Sequence, residues 1–356
     1  MDEFRIHTHI IDPIGADERA MLAAFLSPLG LDFEDDVELS AVVQDGPVPI
    51  ATASLAGDVV KCVGVVSERE GEGAAARAVS AVIAEAEARG RRHLFVYTRP
   101  RNRSIFESLG FVTLAAVGTQ PDEGVMLLEN DAHAFDRWAQ SIRSSLPGGI
   151  AVGAVVVNCN PFTLGHRYLI ERSAADCAAL GGTLLVLVVA GDRSSFPGAV
   201  REALVRAGTA DLDNVVVASG GAYCVSGATF PAYYLKEKSQ AADLQAALDA
   251  ELFASRIAPA LGIRRRFVGT EPYCQVTAGY NRAMADVLPR HGLELVQIPR
   301  VESGGAAISA SSVRAAIRDG DLERALALVP PTTAAWLRSA EAEPVLDKIR
   351  TGSGRH

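Results

Sequence analysis

A chain of 356 residues, 49% hydrophobic and 22% charged, is long enough for two domains and too apolar for wholesale disorder. A formal net charge of −9 speaks against a general nucleic-acid binder, which carries a basic surface. Five cysteines stand far apart with no CxxC pair, which speaks against a disulfide framework or a structural zinc site and for a reducing, cytoplasmic setting.

The first eighteen residues are acidic and lack a long apolar stretch, so no signal peptide is expected. Helical spacing over 16–26 is followed by β-rich runs at 38–44 and 50–55, with Asp45-Gly46 as the turn between them. A further strand is expected over 59–66, then the loop Ser67-Glu68-Arg69-Glu70-Gly71-Glu72-Gly73. An alanine-rich helix over 74–89 stops at Gly90. A strand over 93–97, a helix over 103–109 and a strand starting at 110–112 come next. Residues 131–146 read as a connecting helix, ended by Pro147-Gly148-Gly149. The wholly apolar run 150–157 has the character of a strand buried on both faces of a parallel sheet. Helices over 165–180 and 199–207 alternate with strands over 183–190, 215–218, 266–269 and 293–298, and the chain is helical from 311. The run 183–190 is the longest strongly apolar one, far too short to cross a bilayer. The fold class expected is α/β: a first α/β domain over 1–130, a linker over 131–149, a Rossmann-like domain with an open parallel sheet over 150–350, and a loose tail over 351–356. In such a sheet ligands bind at the carboxyl ends of the strands.

The stretch Asn158-Cys159-Asn160-Pro161-Phe162-Thr163-Leu164-Gly165-His166 follows the first buried strand and opens a helix. A helix N-terminus presents unpaired N–H groups and positive potential, which suit an anion. Thr163 and His166, three apart, share one face of the opening turn, and Gly165 would let a phosphate approach the backbone. Arg167 follows, equally placed for phosphate or for solvent. By themselves these residues also suit an ordinary capped turn with a surface histidine. Two further segments favour the clamp. Ile308-Ser309-Ala310-Ser311-Ser312-Val313-Arg314 sets hydroxyls and an arginine at another helix start. Arg266-Phe267-Val268-Gly269-Thr270-Glu271 is a strand ending in glycine, where a flat base would meet bare backbone.

Taken in order, these segments resemble the nucleotidyltransferase superfamily with T/HxGH and ISSTxxR-like motifs; Thr163-Leu164-Gly165-His166 matches the first and residues 308–314 the second. The chain has no GxxxxGK[ST] loop. More narrowly, residues 160–169, 192–197, 228–231 and Phe267-Val268-Gly269-Thr270-Glu271-Pro272-Tyr273-Cys274 resemble the citrate lyase ligase family. The resemblance implies that ATP and acetate form acetyl-adenylate and pyrophosphate. The thiol of a dephospho-CoA-derived prosthetic group on the citrate lyase acyl carrier subunit then gives the acetyl thioester and AMP. It also implies His166 at the α-phosphate with Thr163 beside it, and Ser309, Ser311 and Arg314 on the β- and γ-phosphates. Asn160, Phe162, Gly165, Arg167, Gly269, Thr270 and Glu271 complete the nucleotide contacts. Mg2+ accompanies ATP, and no protein metal site is expected.

Residues 1–130 resemble the GNAT acetyltransferase fold, through the strand 59–66, the glycine loop before the helix, and Asn102 to Phe111. In that fold the loop's N–H groups take the pyrophosphate of coenzyme A, so Gly71 and Gly73 are candidates to hold a CoA-like arm. Glu68, Glu70 and Glu72 would repel a pyrophosphate, which favours arm binding or a structural role over acetyl-CoA catalysis. Three rivals remain: acetate ligation to the malonate decarboxylase carrier, adenylyl transfer to a pantetheine phosphate, and acetyl transfer by the first domain.

Overall fold

The computed structural model describes residues 6–118, 120, 123–191, 194–224, 238–270, 275–300, 302–303 and 306–352. The chain forms two compact units, one of Met1–Phe135 with Thr229–Leu252, the other of Asp136–Ala228 with Phe253–His356.

The first unit is a mixed sheet of β1 (Ile6–Ile11), β2 (Leu39–Asp45), β3 (Val48–Ala56), β4 (Val59–Val65), β5 (Phe95–Thr98), β6 (Val112–Val117) and β7 (Val125–Glu129), in the order β1-β2-β3-β4-β5-β7-β6. Its helices are α1 (Ala16–Leu26), α2 (Ala74–Ala88) and α3 (Arg103–Ser108). Neighbouring strands run antiparallel except β4 and β5, which pair in parallel through Val59↔Phe95 and Val60↔Val96 and part beyond that point. The helix after β4 packs Ala78, Val79, Val82 and Ala86 against β2, β3 and β4. Each valine leaving water there contributes roughly 1.5–3 kcal/mol. A seven-stranded sheet parted at one parallel pair, with a glycine loop leading into α2, is the GNAT-like arrangement expected. The sequence reading missed β1: its acidic lead-in hides an alternating Ile-His-Thr-His-Ile that pairs with β2 from His7↔Gln44 to Ile11↔Ser40.

After α4 (Ala134–Arg143) the second unit begins its sheet. β8 (Gly153–Val157), α5 (Leu164–Ala179), β9 (Leu184–Val188), α6 (Gly198–Gly208) and β10 (Val215–Ser219) build outward to one side. Helix α7 (Lys238–Leu252) then returns to the first unit, where it packs on β6 and β7. A π-turn at Phe253–Ile257 and α8 (Ala258–Leu261) lead to β11 (Arg265–Gly269), α9 (Gln275–Val287) and β12 (Glu294–Ile298) on the other side of β8. The order β10-β9-β8-β11-β12 is wholly parallel. β8 and β9 are apolar on both faces because helices cover both, the reason a parallel sheet reads as continuous hydrophobic runs. The chain leaves β8 in one direction and returns in the other, so the crevice for a ligand opens between the carboxyl ends of β8 and β11.

The chain ends in a short β13–β14 pair (Glu302–Ser303 with Ala306–Ala307), then α10 (Ala310–Arg318), α11 (Leu322–Leu326), α12 (Pro331–Leu337) and α13 (Glu343–Thr351). These last helices form a core of their own around Phe196, Val313, Ile317, Leu337 and Leu346, which holds α10 in place. The arginine run at 264–266 lies largely in β11. Arg265 pairs with Asp176 and Glu294, and Arg266 is buried with its guanidinium 4.2 Å from the Phe253 ring centroid. Among the described residues no helix is long and apolar enough to cross a membrane.

Candidate active site

Val157 ends β8, and the loop that follows is held from inside. Asn160 is buried; its side-chain oxygen accepts the Phe196 N–H at 3.0 Å, and its carbonyl accepts Arg314 Nη1 at 2.5 Å. Cys159 takes a left-handed conformation with φ 51° and is buried, and burial pushes its thiol pKa up, away from a nucleophilic thiolate. The loop delivers Thr163 as the N-cap of α5. Its hydroxyl accepts the His166 N–H at 3.3 Å. The histidine returns the contact: its Nδ1 lies 3.1 Å from the Thr163 N–H and 2.9 Å from the Thr163 hydroxyl. This is a capping box with histidine in the place of the usual Glu or Gln.

That geometry sets the tautomer. A backbone N–H can only donate, so Nδ1 is an acceptor and the imidazole proton sits on Nε2. Burial first, and the positive charge of Arg300 second, push the His166 pKa down to about 4. At neutral pH the site therefore holds a neutral imidazole with one N–H to give. The Phe162 ring backs it almost in parallel, at 18° and 6.2 Å between centroids.

Two expectations change here. Phe162 and Thr163 are both 0% exposed, so they hold His166 in place and offer no surface to a nucleotide. Gly165 is required for a reason internal to the protein. A Cβ there would stand 2.6 Å from the carbonyl oxygen of Ile308. The first turn of α5 thus lies against the residue that leads into α10. Arg314 binds the two segments from the other end. It is buried, and its Nη1 engages the Asn160 carbonyl, which makes it a positioning residue for the loop. The result is two helix N-termini side by side. On the second of them Ser309 is the N-cap, accepting the Ser312 N–H at 3.1 Å, and Ser311 is exposed.

Across the crevice the end of β11 is bare backbone. Asn281 donates to the Gly269 carbonyl at 3.1 Å. Among the described residues, a Cβ at Gly269 would meet nothing nearer than Arg300 at 3.9 Å. The Thr270 N–H donates to Ile298 at 2.9 Å, and the Thr270 hydroxyl accepts the Arg300 N–H at 3.3 Å. Glu271 lies outside the described residues.

Arg167 is directed elsewhere. Its guanidinium grips both Asp211 oxygens at 2.6 Å, Glu171 at 2.6 Å and the Gly208 carbonyl, tying α5 to the end of α6. The carboxylates raise its pKa further. It is removed from the phosphate contacts. Arg167→Gln is expected to lower Tm slightly and to leave ATP turnover within threefold of wild type; melting curves and a turnover assay check this.

Sequence reasoning missed Arg201. It is wholly buried and donates to the carbonyls of Phe196 (2.9 Å), Asn158 (2.8 Å), Val189 (2.5 Å) and Gly191 (3.0 Å), and to the Asn158 side chain (2.8 Å). One side chain thereby fixes the loops after β8 and β9. Its partners are scattered in sequence, so no spacing signals it.

In the first unit Gly71 and Gly73 adopt φ 83° and 80°, as a glycine turn before a helix requires. The loop's arginine, Arg69, is engaged by Asp45 at 2.5 Å and Glu72 at 2.9 Å.

Residues 152–337 match the model of the citrate lyase ligase C-terminal domain. The chain is 36% identical over 330 residues to a [citrate [pro-3S]-lyase] ligase of Klebsiella pneumoniae, covering 91% of this chain and 94% of that protein. It is 38% identical over 326 residues to the [citrate [pro-3S]-lyase] ligase of Escherichia coli K12, covering 90% of each. A crystal structure of an acyl-CoA N-acyltransferase from Pseudomonas aeruginosa aligns with 35% of this chain and 99% of its own, at 13% identity and TM-score 0.31.

Proposed function

Because the chain belongs to the citrate lyase ligase family, we propose that it is the ATP-dependent ligase that acetylates the thiol prosthetic group of the citrate lyase acyl carrier subunit. In the first step an acetate oxygen attacks the α-phosphorus of ATP and the bond to the β-phosphate oxygen breaks, giving acetyl-adenylate and pyrophosphate. In the second the carrier thiol attacks the acetyl carbon, loses its proton, and releases AMP.

The observation that carries this reading is the neutral His166, held by Thr163 with Nε2–H as its donor, beside the paired N-termini of α5 and α10. Charge accumulates on phosphate oxygens as pyrophosphate departs, and fixed donors aimed there stabilise the transition state without reorganising. Acetate is already an anion at neutral pH, so the first step needs no general base. A histidine whose pKa lies near 4 is a poor base at pH 7 and a serviceable donor. Ser309 and Ser311 stand at the second helix start for the β- and γ-phosphates, and Gly269 and Thr270 form the open ledge for the adenine. Mg2+ would neutralise charge on the triphosphate.

Gly71 and Gly73 are the candidates to hold the dephospho-CoA-derived arm. With Arg69 committed to Asp45 and Glu72, the hold would come from backbone N–H groups. We infer a cytoplasmic setting from the five scattered cysteines, which suit a reducing compartment.

The test is pyrophosphate release from Mg-ATP with and without acetate, followed by acetylation of purified carriers. Release that depends on acetate, with acetyl transfer to the citrate lyase carrier, is expected. Release indifferent to acetate and dependent on a pantetheine phosphate would make this an adenylyltransferase. Transfer to the malonate decarboxylase carrier alone would move the partner assignment.

A further inference from the structure

β8 ends at Val157, and the next side chain, Asn158, is exposed at the carboxyl edge of the sheet. An exposed asparagine at a strand end ordinarily turns freely, but this one is held. Its side-chain oxygen accepts Arg201 Nη1 at 2.8 Å, and its backbone carbonyl accepts the same nitrogen at 2.8 Å. Arg201 is wholly buried and is itself fixed by the carbonyls of Phe196, Val189 and Gly191. A buried cation thus sets the direction of an exposed amide.

That contact decides which end of the amide faces outward. A guanidinium can only donate, so the atom it meets is the oxygen, and Nδ2 is the other end. Nδ2 carries two N–H groups. The Ser194 hydroxyl, in the loop after β9, stands 3.3 Å from Nδ2 and 3.4 Å from Oδ1, so it can take one of these N–H groups at most. Among the described residues no other acceptor meets Nδ2, so an N–H in fixed orientation is presented at the edge where a ligand binds.

The sheet order narrows what that ligand is. Gly269, at the end of β11, lies on one side of β8, and the Ser194 loop, which follows β9, lies on the other. In the reading above the adenine takes the β11 side and the triphosphate takes the starts of α5 and α10. Acetate is the substrate left to place, and the β9 side is the part of the edge left to hold it. A neutral donor suits it. A carboxylate gives up negative charge as its oxygen bonds to phosphorus, so a cation paired with it would stabilise the reactant more than the transition state. A fixed amide N–H orients the carboxylate with less of that penalty.

We propose that Asn158 is the residue that orients acetate. Its Nδ2–H donates to one carboxylate oxygen while the other oxygen bonds to the α-phosphorus, and the electron pair of the broken bond leaves with pyrophosphate. Arg201 is then a positioning residue that acts through Asn158. This assignment rests on the ligase reading above.

The test uses the full chain as wild type, Asn158→Asp and Asn158→Ala. Three quantities are read: kcat/KM for acetate in pyrophosphate release, the equilibrium affinity for Mg-ATP, and Tm. Aspartate keeps the shape and can still accept Arg201, as an ion pair, so Tm should not fall. It has no N–H to give and sets a carboxylate against a carboxylate. We therefore expect kcat/KM for acetate to fall roughly 10- to 100-fold, the scale of one hydrogen bond to a charged group, with Mg-ATP affinity within about threefold of wild type. Alanine also loses the Arg201 contact, so Tm should fall along with kcat/KM for acetate, again with ATP affinity kept. Should the aspartate variant not fold, this split between acetate and ATP in the alanine variant decides the matter. A folded aspartate variant with kcat/KM for acetate within about twofold of wild type would overturn the proposal, because a purely structural asparagine behaves that way. A loss of Mg-ATP affinity as large as the loss for acetate would also overturn it and would move Asn158 to a phosphate. Both results leave the ligase reading standing. Wild-type release that ignores acetate would overturn that reading and this proposal with it, and the wild type alone shows it.

Discussion

Replacing His166 with alanine is expected to lower acetate-dependent pyrophosphate release by roughly 10²- to 10³-fold, the range found when one fixed donor to a developing oxyanion is removed. The fold should survive. The substitution removes half of a capping box, and Thr163 can still cap from its hydroxyl, so the cost is about 1 kcal/mol. His166→Gln, which keeps an N–H donor on a planar side chain, should restore part of the rate. The pH profile gives a second check. Burial, with the positive charge of Arg300 adding to it, keeps the imidazole neutral down to a pKa of about 4, so His166 should impose no inflection between pH 5 and 8. The sign for stability follows from the same depression. The unfolded chain takes up this proton near the ordinary histidine value, above the folded one. The stability conferred is therefore complete above that ordinary value and is lost as pH falls from there through about 4. A rate inflection near pH 6.5 that vanishes in His166→Ala would show the imidazole acting as a titrating base, and the donor role would fall.

Gly165→Ala is expected to be more damaging than its chemistry suggests. In a helix interior alanine is favoured over glycine by about 1 kcal/mol, so propensity alone predicts stabilisation. The added methyl would stand 2.6 Å from the Ile308 carbonyl oxygen, and a backbone atom cannot swing aside as a side-chain tip can. Relief requires α10 to move, and α10 is tied to the β8 loop by Arg314 on Asn160 and to the terminal helices by the Val313 and Ile317 core. Overpacking of this kind costs typically 1–3 kcal/mol, enough to reverse the propensity term. A displaced α10 also parts the two helix N-termini, so activity should fall by more than 10³-fold. Melting curves and the pyrophosphate assay together decide this. An alanine variant with raised Tm and normal activity would mean that the two helix starts are not in close contact.

What the sequence made legible was what physics writes locally. The apolar runs that become β8 and β9 report burial on both faces, and their alternation with helices announces a parallel sheet. The Thr163–His166 spacing places two side chains on one turn, and that turn is where the structure joins them. The reasons behind several residues were not legible, because their partners come from distant segments. Arg314 reaches Asn160, Gly165 makes way for Ile308, and Arg201 collects carbonyls from both sides of β9. An arginine or glycine in a motif looks the same whether it meets a phosphate or a carbonyl. β1 escaped because the acidic residues before it draw attention from its Ile-His-Thr-His-Ile alternation, and α7 because its place in the chain gives no hint that its packing partners are β6 and β7.

The return of α7 to the first unit has a consequence for the order of synthesis. β6 and β7 leave the ribosome with the first third of the protein, but the helix that packs on them is made only after β8, β9 and β10. The first sheet must wait, part of its surface uncovered, until most of the second has been translated. Cutting the gene at the junction after Phe135 would leave one fragment without its covering helix and the other with that helix orphaned. The two halves are thus bound to a shared folding schedule by the path of the chain itself.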